Sequence, residues 1–377
     1  MKKILIFYGS YGGGHLSAAK AIKAYIEEHH GEQFEIEMID CVEYINKHLN
    51  KISTEAYKEF AKKMPWIWKK VYNGANKGPL SNLTNTTNRI LSRKLNQLIQ
   101  EFNPDMVVST HPFSSAMVAM LKEKGKTHCK LATIMTDYHI HDQWLVLYKY
   151  VDYFFVSNEK MKTDMIMKGI DGSKITVSGI PVSEKFTKKY NREKVCQELD
   201  LNPEKETVLF FAGGEFGLGS KTTFMVLRAL IKLFKNIQVI AIAGKNPRMY
   251  NKFCSIVDKT KANDRVRVLK FTDKVPEFMS ISKYVITKPG GLTVTECITS
   301  NKPIIIINPI PGQEEENADY LSDNSVAIWI KKDDHVARIF KNLHRNQEQF
   351  EVLRENTKKF AKPKATETIC ETLIKAL

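Results

Sequence analysis

The chain lacks the closely spaced cysteines and the long apolar runs that mark disulfide-rich, zinc-binding and membrane-spanning proteins. Its six cysteines are scattered over 377 residues, which argues against a disulfide framework or a zinc site and fits a reducing cytosol. No apolar stretch approaches the roughly 18–20 residues that span a bilayer. The start of the chain has a basic tip but too short an apolar run for a secretory signal. These absences predict a cytosolic protein without a membrane span.

Two common motifs for binding phosphates or metals are also missing. The glycine-rich segment Phe210–Ser220 lacks the Gly-Lys-Ser/Thr ending of a Walker A loop. There is no convincing DxD, the acidic motif with which many sugar-nucleotide enzymes hold a divalent cation. The segment with His139, His141 and Asp142 resembles the start of a metallohydrolase motif but continues with Gln-Trp, so no metal site is predicted. A bound diphosphate would then have to be neutralised by loop amides and helix N-termini.

Charge of one sign is in excess. The formal net charge is +15 and the sequence pI is about 9.3, which favours a polyanionic partner, either nucleic acid or an anionic membrane surface. A generally basic cytosolic proteome would produce the same excess without such a partner. No pattern of a nucleic-acid-binding module is present, so the membrane surface is the stronger prediction.

The segment Tyr57–Leu95 has the composition of an element that lies in a membrane interface. It contains Trp66 and Trp68, two of the four tryptophans of the chain. These rings are flanked by the lysines Lys62, Lys63, Lys69 and Lys70. Tryptophan rings favour headgroup depth, and each basic residue near an anionic surface contributes about 1 kcal/mol. The segment predicts reversible membrane attachment; the alternative is an ordinary helix with its tryptophans in the core.

Short β-rich runs alternate with longer amphipathic segments along the whole chain. Six runs precede Pro181, from "KILIFYG" to "ITVSGIP", and six follow it, from "TVLFFAG" to "SVAIWI". This alternation predicts an α/β fold of two doubly wound, Rossmann-like domains that face each other across a cleft. The boundary is expected near Gly179–Phe186, which gives domains of residues 1–181 and 182–359.

Glycines follow several of the predicted strands, where doubly wound sheets bind their ligands. The first such loop contains Gly12, Gly13 and Gly14 and ends at His15. A histidine at a helix N-terminus tends to stay neutral and can accept a proton; the alternative is a histidine that only caps the turn. The loop is not GxGxxG, but Asp40 ends the next strand as the acid of an NAD site would, so dinucleotide binding remains an alternative.

The second half of the chain carries two further strand exits of interest. In "YVITKPGGLTVTECI", Gly290 and Gly291 stand between a strand and a helical segment, an arrangement that favours an anion at the helix start. Glu296 follows about one and a half turns later. In "PIPGQEEENADYL", Gln313 and Glu314 follow a proline-glycine turn and suit hydrogen bonds to sugar hydroxyls, although a charge run is more often a solvated helix face.

In combination, these motifs resemble a known family. From "YGGGH" through "TDYHIHDQW", "GIPV" and "ITKPGGLTVTE" to "PIPGQEEENA", the chain closely resembles the bacterial processive diacylglycerol glucosyltransferases. These enzymes are relatives of the plant monogalactosyldiacylglycerol synthases, in glycosyltransferase family 28. The resemblance implies the GT-B fold, with acceptor and membrane on the N-terminal half and the UDP-sugar on the C-terminal half. The last helix, about residues 360–377, would pack back on the first domain.

The resemblance also implies roles for single residues. Gly290 and Gly291 would let the diphosphate approach helix amides, with Thr293 near the phosphates and Glu296 accepting both ribose hydroxyls. The other donor-binding positions that the resemblance or the glycine loops indicate are Gly213, Gly214, Phe271, Gln313, Glu314 and Asn317. On the acceptor side, His15 with its glycine loop (Gly12, Gly13, Gly14) and Asp137 are the two candidate bases.

The reaction implied is a single inverting displacement. The primary hydroxyl of diacylglycerol would attack the anomeric carbon of a UDP-hexose while a base takes its proton, giving a β-glycosyl diacylglycerol that a processive enzyme would extend. No metal or other cofactor is expected, and the protein would lie peripherally on the cytoplasmic face of the cell membrane. The alternatives are a transferase acting on a polyprenyl-diphosphate cell-wall precursor, a UDP-sugar sensor without turnover, and an NAD-dependent oxidoreductase.

Overall fold

The computed structural model describes residues 1–9, 13–41, 43–44, 95–212, 220–331 and 334–377. The chain forms two compact units. The first contains Met1–Ser183, Pro311–Gln313 and Lys364–Leu377, and the second contains Glu184–Ile310 and Glu314–Pro363. Within the ranges described, no helix is both long enough and apolar enough to cross a membrane.

The first unit is built on a six-stranded parallel sheet of order β2-β1-β3-β4-β5-β6. Its strands are β1 (Lys2–Tyr8), β2 (Phe34–Asp40), β3 (Met106–Ser109), β4 (Lys130–Ile134), β5 (Tyr153–Val156) and β6 (Ile175–Val177). Its helices include α1 (Gly13–His30), α2 (Pro112–Glu123) and α3 (Glu159–Met167), and residues 95–102 are also helical.

Both faces of this sheet are covered. Along β1, Ile4 and Ile6 belong to one buried cluster, whereas Leu5 and Phe7 belong to another. Successive side chains of a strand point to opposite faces, so an uninterrupted apolar run is what a sheet buried on both sides requires.

The second unit has a parallel sheet of order β12-β11-β10-β7-β8-β9. Its strands are β7 (Thr207–Phe211), β8 (Gln238–Ile242), β9 (Val266–Leu269), β10 (Tyr284–Thr287), β11 (Ile304–Ile307) and β12 (Ala327–Ile330). Its described helices are α4 (Arg192–Glu198), α5 (Ser220–Leu233), α6 (Pro247–Lys259), α7 (Val275–Ile281), α8 (Gly291–Thr299), α9 (Gln313–Asp323), α10 (Val336–Arg345) and α11 (Gln347–Phe360); the first residue of α9, Gln313, is grouped with the first unit. The twelve predicted strands are all present, and the predicted α/β fold class is confirmed.

The C-terminal helix α12 (Ala365–Lys375) belongs to the first unit. Its apolar side chains, Ile369 and Leu373, lie in the same buried cluster as Ile22 of α1. Beside this apolar contact, Glu371 accepts hydrogen bonds from His30 Nε2 at 2.9 Å and from the Tyr25 hydroxyl at 3.3 Å.

Each sheet has one place where the chain reverses the direction in which it adds strands. That place lies between β1 and β3 in the first sheet and between β7 and β10 in the second. Ligands of open parallel sheets bind at the carboxyl ends of the strands at this point. The residues that follow β1, β3 and β10 therefore form the candidate sites of the two units.

Candidate active site

His15 lies in the first turn of α1, and its ring is held by the loop that follows β3. Its Nδ1 is 2.5 Å from the Thr110 carbonyl oxygen and 3.2 Å from Thr136 Oγ1. A carbonyl oxygen can only accept, so Nδ1 carries the proton and the lone pair of the neutral ring is on Nε2. Burial lowers the pKa of His15, while the charge of Asp137 and the Thr110 carbonyl raise it. The arrangement provides a neutral imidazole that can accept a proton at Nε2.

The helix begins earlier than the sequence pattern predicts. Gly13 and Gly14 belong to the first turn of α1 rather than to a loop that ends at His15. The first N–H groups of a helix have no partner within the helix, so this turn can serve the same purpose as a loop, namely to leave amides available to a ligand.

A second histidine, His111, contacts the ring of His15. The two ring centroids are 4.6 Å apart and the rings are nearly perpendicular. His111 is the N-cap of α2, and its Nδ1 accepts a hydrogen bond from the Phe113 N–H at 3.2 Å. Burial, followed by the charge of His15, lowers the pKa of His111 well below its ordinary value.

Asp137, the other predicted base, lies after β4 and is only 2% exposed. Its Oδ2 is 3.4 Å from Nε2 of His141, which is also buried. Burial by itself would raise the pKa of Asp137, but contact with His141, the hydrogen bond from Gln313 Nε2 and the charge of His15 lower it below the ordinary value. The loop is fixed by hydrogen bonds from the Ser157 hydroxyl to the Asp137 carbonyl and from Asn158 Nδ2 to the Tyr138 carbonyl. An ionised carboxylate near His15 would stabilise an imidazolium formed there.

In the second unit, β10 leads into α8 through Lys288, Pro289 and Gly290. Gly290 is the N-cap of α8 and supplies no side-chain cap, and the first turn contains no acidic residue. A Cβ added at Gly290 would meet only Glu314 Oε1, at 3.8 Å. The glycine leaves space beside the first turn, whose N–H groups have no partner within the helix, an arrangement suited to an anion. Gly291 and the half-buried Thr293 belong to the same turn.

Glu296 lies on α8 one turn beyond Thr293. Within the described residues its carboxyl group has no hydrogen-bond partner, and burial raises its pKa to about 8. Glu296 is half-buried, and removing a carboxyl from water without a protein partner is costly; perturbed groups of this kind are concentrated at functional sites.

Helix α9 is fastened to the loop before α8. Asn317 is fully buried and its Nδ2 donates to the Pro289 carbonyl at 3.1 Å. Glu314 Oε2 accepts from the Ile310 N–H at 2.6 Å. The predicted donor-binding residues Gly290, Glu314 and Asn317 are thus brought together.

The sequence pattern did not single out Lys288, although it stands two residues before Gly290. Burial lowers the pKa of its ammonium group, and the charge of Glu314 raises it. In the part of the chain that the structure describes, Lys288 has no hydrogen-bonded or ion-paired partner. Its place in the "ITKPGG" segment was the available signal, because a lysine beside an amide-lined anion site adds the positive charge that amides alone lack.

Two further donor-site predictions have different surroundings. Phe271 follows β9 with 67% of its surface exposed, and the Lys245 ammonium lies 5.2 Å from its ring centroid. Gln313 is exposed at the first position of α9. These surroundings do not test the donor-binding roles that the resemblance implies for Phe271 and Gln313, so both roles remain predictions.

Several predicted residues lie outside the described residues. They are Gly12 of the first glycine loop, Gly213 and Gly214 after β7, and the membrane-segment residues Lys62, Lys63, Trp66, Trp68, Lys69 and Lys70. Among the residues that are described, no group of three or more His, Cys, Asp or Glu side chains is placed to hold a metal ion. The expectation that no metal takes part stays a prediction.

Family models match the sequence of both units. The monogalactosyldiacylglycerol synthase family model matches residues 15–182, and the glycosyltransferase family 28 C-terminal domain model matches residues 208–371. Processive diacylglycerol β-glucosyltransferases of Staphylococcus aureus strains JH9 and Newman are 30% identical over 375 residues, which is 99% of this chain and 92% of theirs.

Solved structures share the fold. MurG of Acinetobacter baumannii superimposes with a TM-score of 0.66 at 14% identity over the full length of both chains. The UDP complex of MnaA from S. aureus gives a TM-score of 0.65 at 15% identity, covering 98% of this chain and 95% of that one. The GT-B fold is thereby confirmed. The chain belongs to the family of the processive diacylglycerol β-glucosyltransferases and monogalactosyldiacylglycerol synthases, in glycosyltransferase family 28.

Proposed function

We propose that this protein transfers a hexose, glucose in the first instance, from a UDP-sugar to the primary hydroxyl of 1,2-diacylglycerol. The transfer inverts the anomeric centre and gives a β-glycosyl diacylglycerol, which further rounds can extend. The observation that carries the proposal is the half-buried Glu296, which has no hydrogen-bond partner among the described residues and lies on the helix whose uncapped N-terminus follows Gly290. The acceptor is supported by the 30% identity to enzymes named for diacylglycerol.

The second unit holds the donor. The diphosphate binds the N–H groups at the start of α8, with the Lys288 ammonium supplying a full positive charge. Glu296 accepts hydrogen bonds from the two ribose hydroxyls, and Gln313 and Glu314 bind the hexose. As UDP leaves, its growing negative charge is stabilised by the same amides and by Lys288. We therefore expect turnover without a divalent metal.

The first unit supplies the base. His15 has its lone pair on Nε2 and a pKa lowered by burial, so it is neutral at cytosolic pH. It takes the proton of the acceptor hydroxyl as the oxygen attacks the anomeric carbon. Asp137 is a weaker base because its own pKa is lowered; its charge instead stabilises the imidazolium.

The test is UDP release from UDP-glucose and from UDP-galactose, with and without diacylglycerol in anionic vesicles, in the presence of EDTA. The proposal predicts release that depends on diacylglycerol and persists in EDTA, and the better donor identifies the sugar. Mass spectrometry of the extracted lipid counts the hexoses added, and NMR of the product gives the anomeric configuration.

Each alternative has its own outcome in this assay. UDP binding without release under any condition would contradict the proposal and indicate a sensor or another acceptor. Release that depends on a polyprenyl diphosphate instead of diacylglycerol would indicate a cell-wall-precursor transferase.

A further inference from the structure

His111 caps α2, but it also lies beside His15, and its role as an N-cap does not account for the contacts between the two segments. It follows Thr110, whose carbonyl oxygen accepts the proton of His15 Nδ1. The Thr110 hydroxyl in turn donates to the His15 carbonyl at 3.0 Å. The backbone that precedes His111 and the first turn of α1 are therefore linked in both directions.

The hydrogen bonds assign opposite tautomers to the two neutral rings. Nδ1 of His111 accepts from the Phe113 N–H, so the proton of this ring is on Nε2. In His15 the proton is on Nδ1 and the lone pair is on Nε2. The nearly perpendicular ring contact at 4.6 Å restricts rotation of the His15 ring about its side chain.

The ring of His111 also covers Gly9, the residue after β1. A Cβ at Gly9 would lie 2.8 Å from His111 Cδ2 and 3.1 Å from Cγ. Real side chains do not tolerate such a distance, so any residue larger than glycine would displace the ring. Gly9 thus has a steric role in this cluster, separate from contact with a ligand.

We propose that His111 is a positioning residue that holds His15 with its proton on Nδ1 and its Nε2 lone pair available to the acceptor hydroxyl. The inference rests on the proposed function, in which His15 is the base. His111 stays neutral, so an imidazolium formed on His15 packs against a neutral ring and is stabilised by the charge of the Asp137 carboxylate. Among the described residues, His111 and Asp137 are the titratable groups that face His15, and His141 contacts Asp137 from the next loop.

Three variants distinguish the effect of the His111 ring from the effect of its N-cap hydrogen bond. His111→Ser keeps an N-cap oxygen for α2 but removes the ring. His111→Phe keeps an aromatic ring but loses the acceptor. Gly9→Ala leaves His111 in place and displaces its ring by steric conflict. His29→Ser is the matched control, because His29 is an exposed histidine on α1 far along the helix from His15.

The first readout is the tautomer and pKa of His15, measured by NMR on protein labelled with ¹⁵N-histidine. It needs no substrate, so it decides the inference even if the proposed function fails. We expect a wild-type pKa below the ordinary 6.5 and a proton on Nδ1. In His111→Ser and Gly9→Ala, water reaches His15, its pKa rises towards the ordinary value, and the two tautomers mix. His111→Phe retains most of the wild-type behaviour, and His29→Ser retains all of it.

The second readout is the pH profile of diacylglycerol-dependent UDP release. Loss of a well-oriented base predicts a kcat about 10- to 100-fold lower in His111→Ser and Gly9→Ala, with KM for the donor unchanged. The acidic limb of the profile moves to higher pH, because a base with a raised pKa is protonated over a wider range. A role in folding alone would lower activity without moving this limb.

The double variant Gly9→Ala/His111→Ser tests whether the effect of the added methyl group acts through the His111 ring. Once the ring is absent, the added methyl group has room, so the double variant should be no less active than His111→Ser. Full additivity of the two losses would overturn the inference. So would an unchanged His15 tautomer and pKa in both single variants.

Discussion

Glu296 is a residue whose protonation state is set by burial. Its pKa is raised to about 8, so the carboxyl group is mostly protonated at pH 7 in the protein without UDP. In the proposed donor site, two ribose hydroxyls that donate to the carboxylate would favour the ionised form and lower this pKa. Binding of UDP and loss of the proton would therefore be coupled.

We expect UDP binding at pH 7 to release up to about one proton, and the affinity to increase as the pH rises to about 8. Calorimetry in buffers of different ionisation enthalpy measures the released proton. Glu296→Gln should abolish the release and weaken binding by about 1–3 kcal/mol. Proton release that persists in this variant would assign it to another group.

Lys288 is predicted to contact phosphate rather than the nucleoside. Lys288→Met should weaken UDP binding by about 1.5–3 kcal/mol, the range for hydrogen bonds to charged groups, while uridine binding stays unchanged. Titration calorimetry with both ligands provides the comparison.

Lys302→Met is a suitable control for this substitution. Lys302 is, like Lys288, a half-buried lysine of the second unit, but its ammonium donates to the Ser280 carbonyl at 2.8 Å. Lys302→Met should lower the free energy of unfolding without changing the ratio of UDP affinity to uridine affinity. An equal loss of uridine affinity in Lys288→Met would argue against phosphate contact.

At the scale of elements, α9 holds the loop that orients α8. Asn317→Ala removes the hydrogen bond that the side chain donates to the Pro289 carbonyl, and Asn317 is fully buried. The cost is about 1–3 kcal/mol of unfolding free energy, and UDP affinity should fall because the first turn of α8 is less well fixed.

Urea unfolding and UDP titration of the same variant measure both effects. Asn324→Ala is the control: Asn324 lies just beyond α9, is exposed, and donates only to the Tyr320 carbonyl at 2.7 Å. If UDP affinity is unchanged in Asn317→Ala despite lower stability, the fastening of α9 does not serve the donor site.

At the scale of the whole molecule, the net charge of +15 predicts attraction to anionic lipid. Sedimentation with anionic vesicles should show binding that weakens as salt is raised from 0.05 to 0.5 M, values chosen to span about a threefold change in Debye length. This attraction is expected from composition, because Trp66 and Trp68 lie outside the described residues.

The paired substitution of Trp66 and Trp68 by alanine should release the protein from these vesicles while UDP binding is retained. Neutral phosphatidylcholine vesicles provide the control surface. Retained vesicle binding together with lower stability would show that the two rings are core residues.

Local pattern was sufficient for much of the fold. The twelve strands were predictable because strands of a parallel sheet are buried on both faces and therefore consist of continuous apolar runs, such as Ile4–Phe7. Such a run can be recognised in the sequence without knowing which strand lies next to it. The glycines at Gly290 and Gly291 and the carboxylate at Glu296 were predictable for a similar reason, since strand, turn and helix are neighbours in the chain.

The sequence by itself therefore determined the α/β class, the two sheets and the placement of Gly290, Gly291 and Glu296 at the start of one helix, where the donor site is proposed. Only the tertiary structure decided that Thr110 orients His15, that His111 packs on its ring, and that Asn317 fastens the loop at Pro289. It also decided the raised pKa of Glu296 and the lowered pKa of Lys288. These are contacts between residues far apart in the chain, or consequences of burial, and both depend on which elements the two sheets bring together.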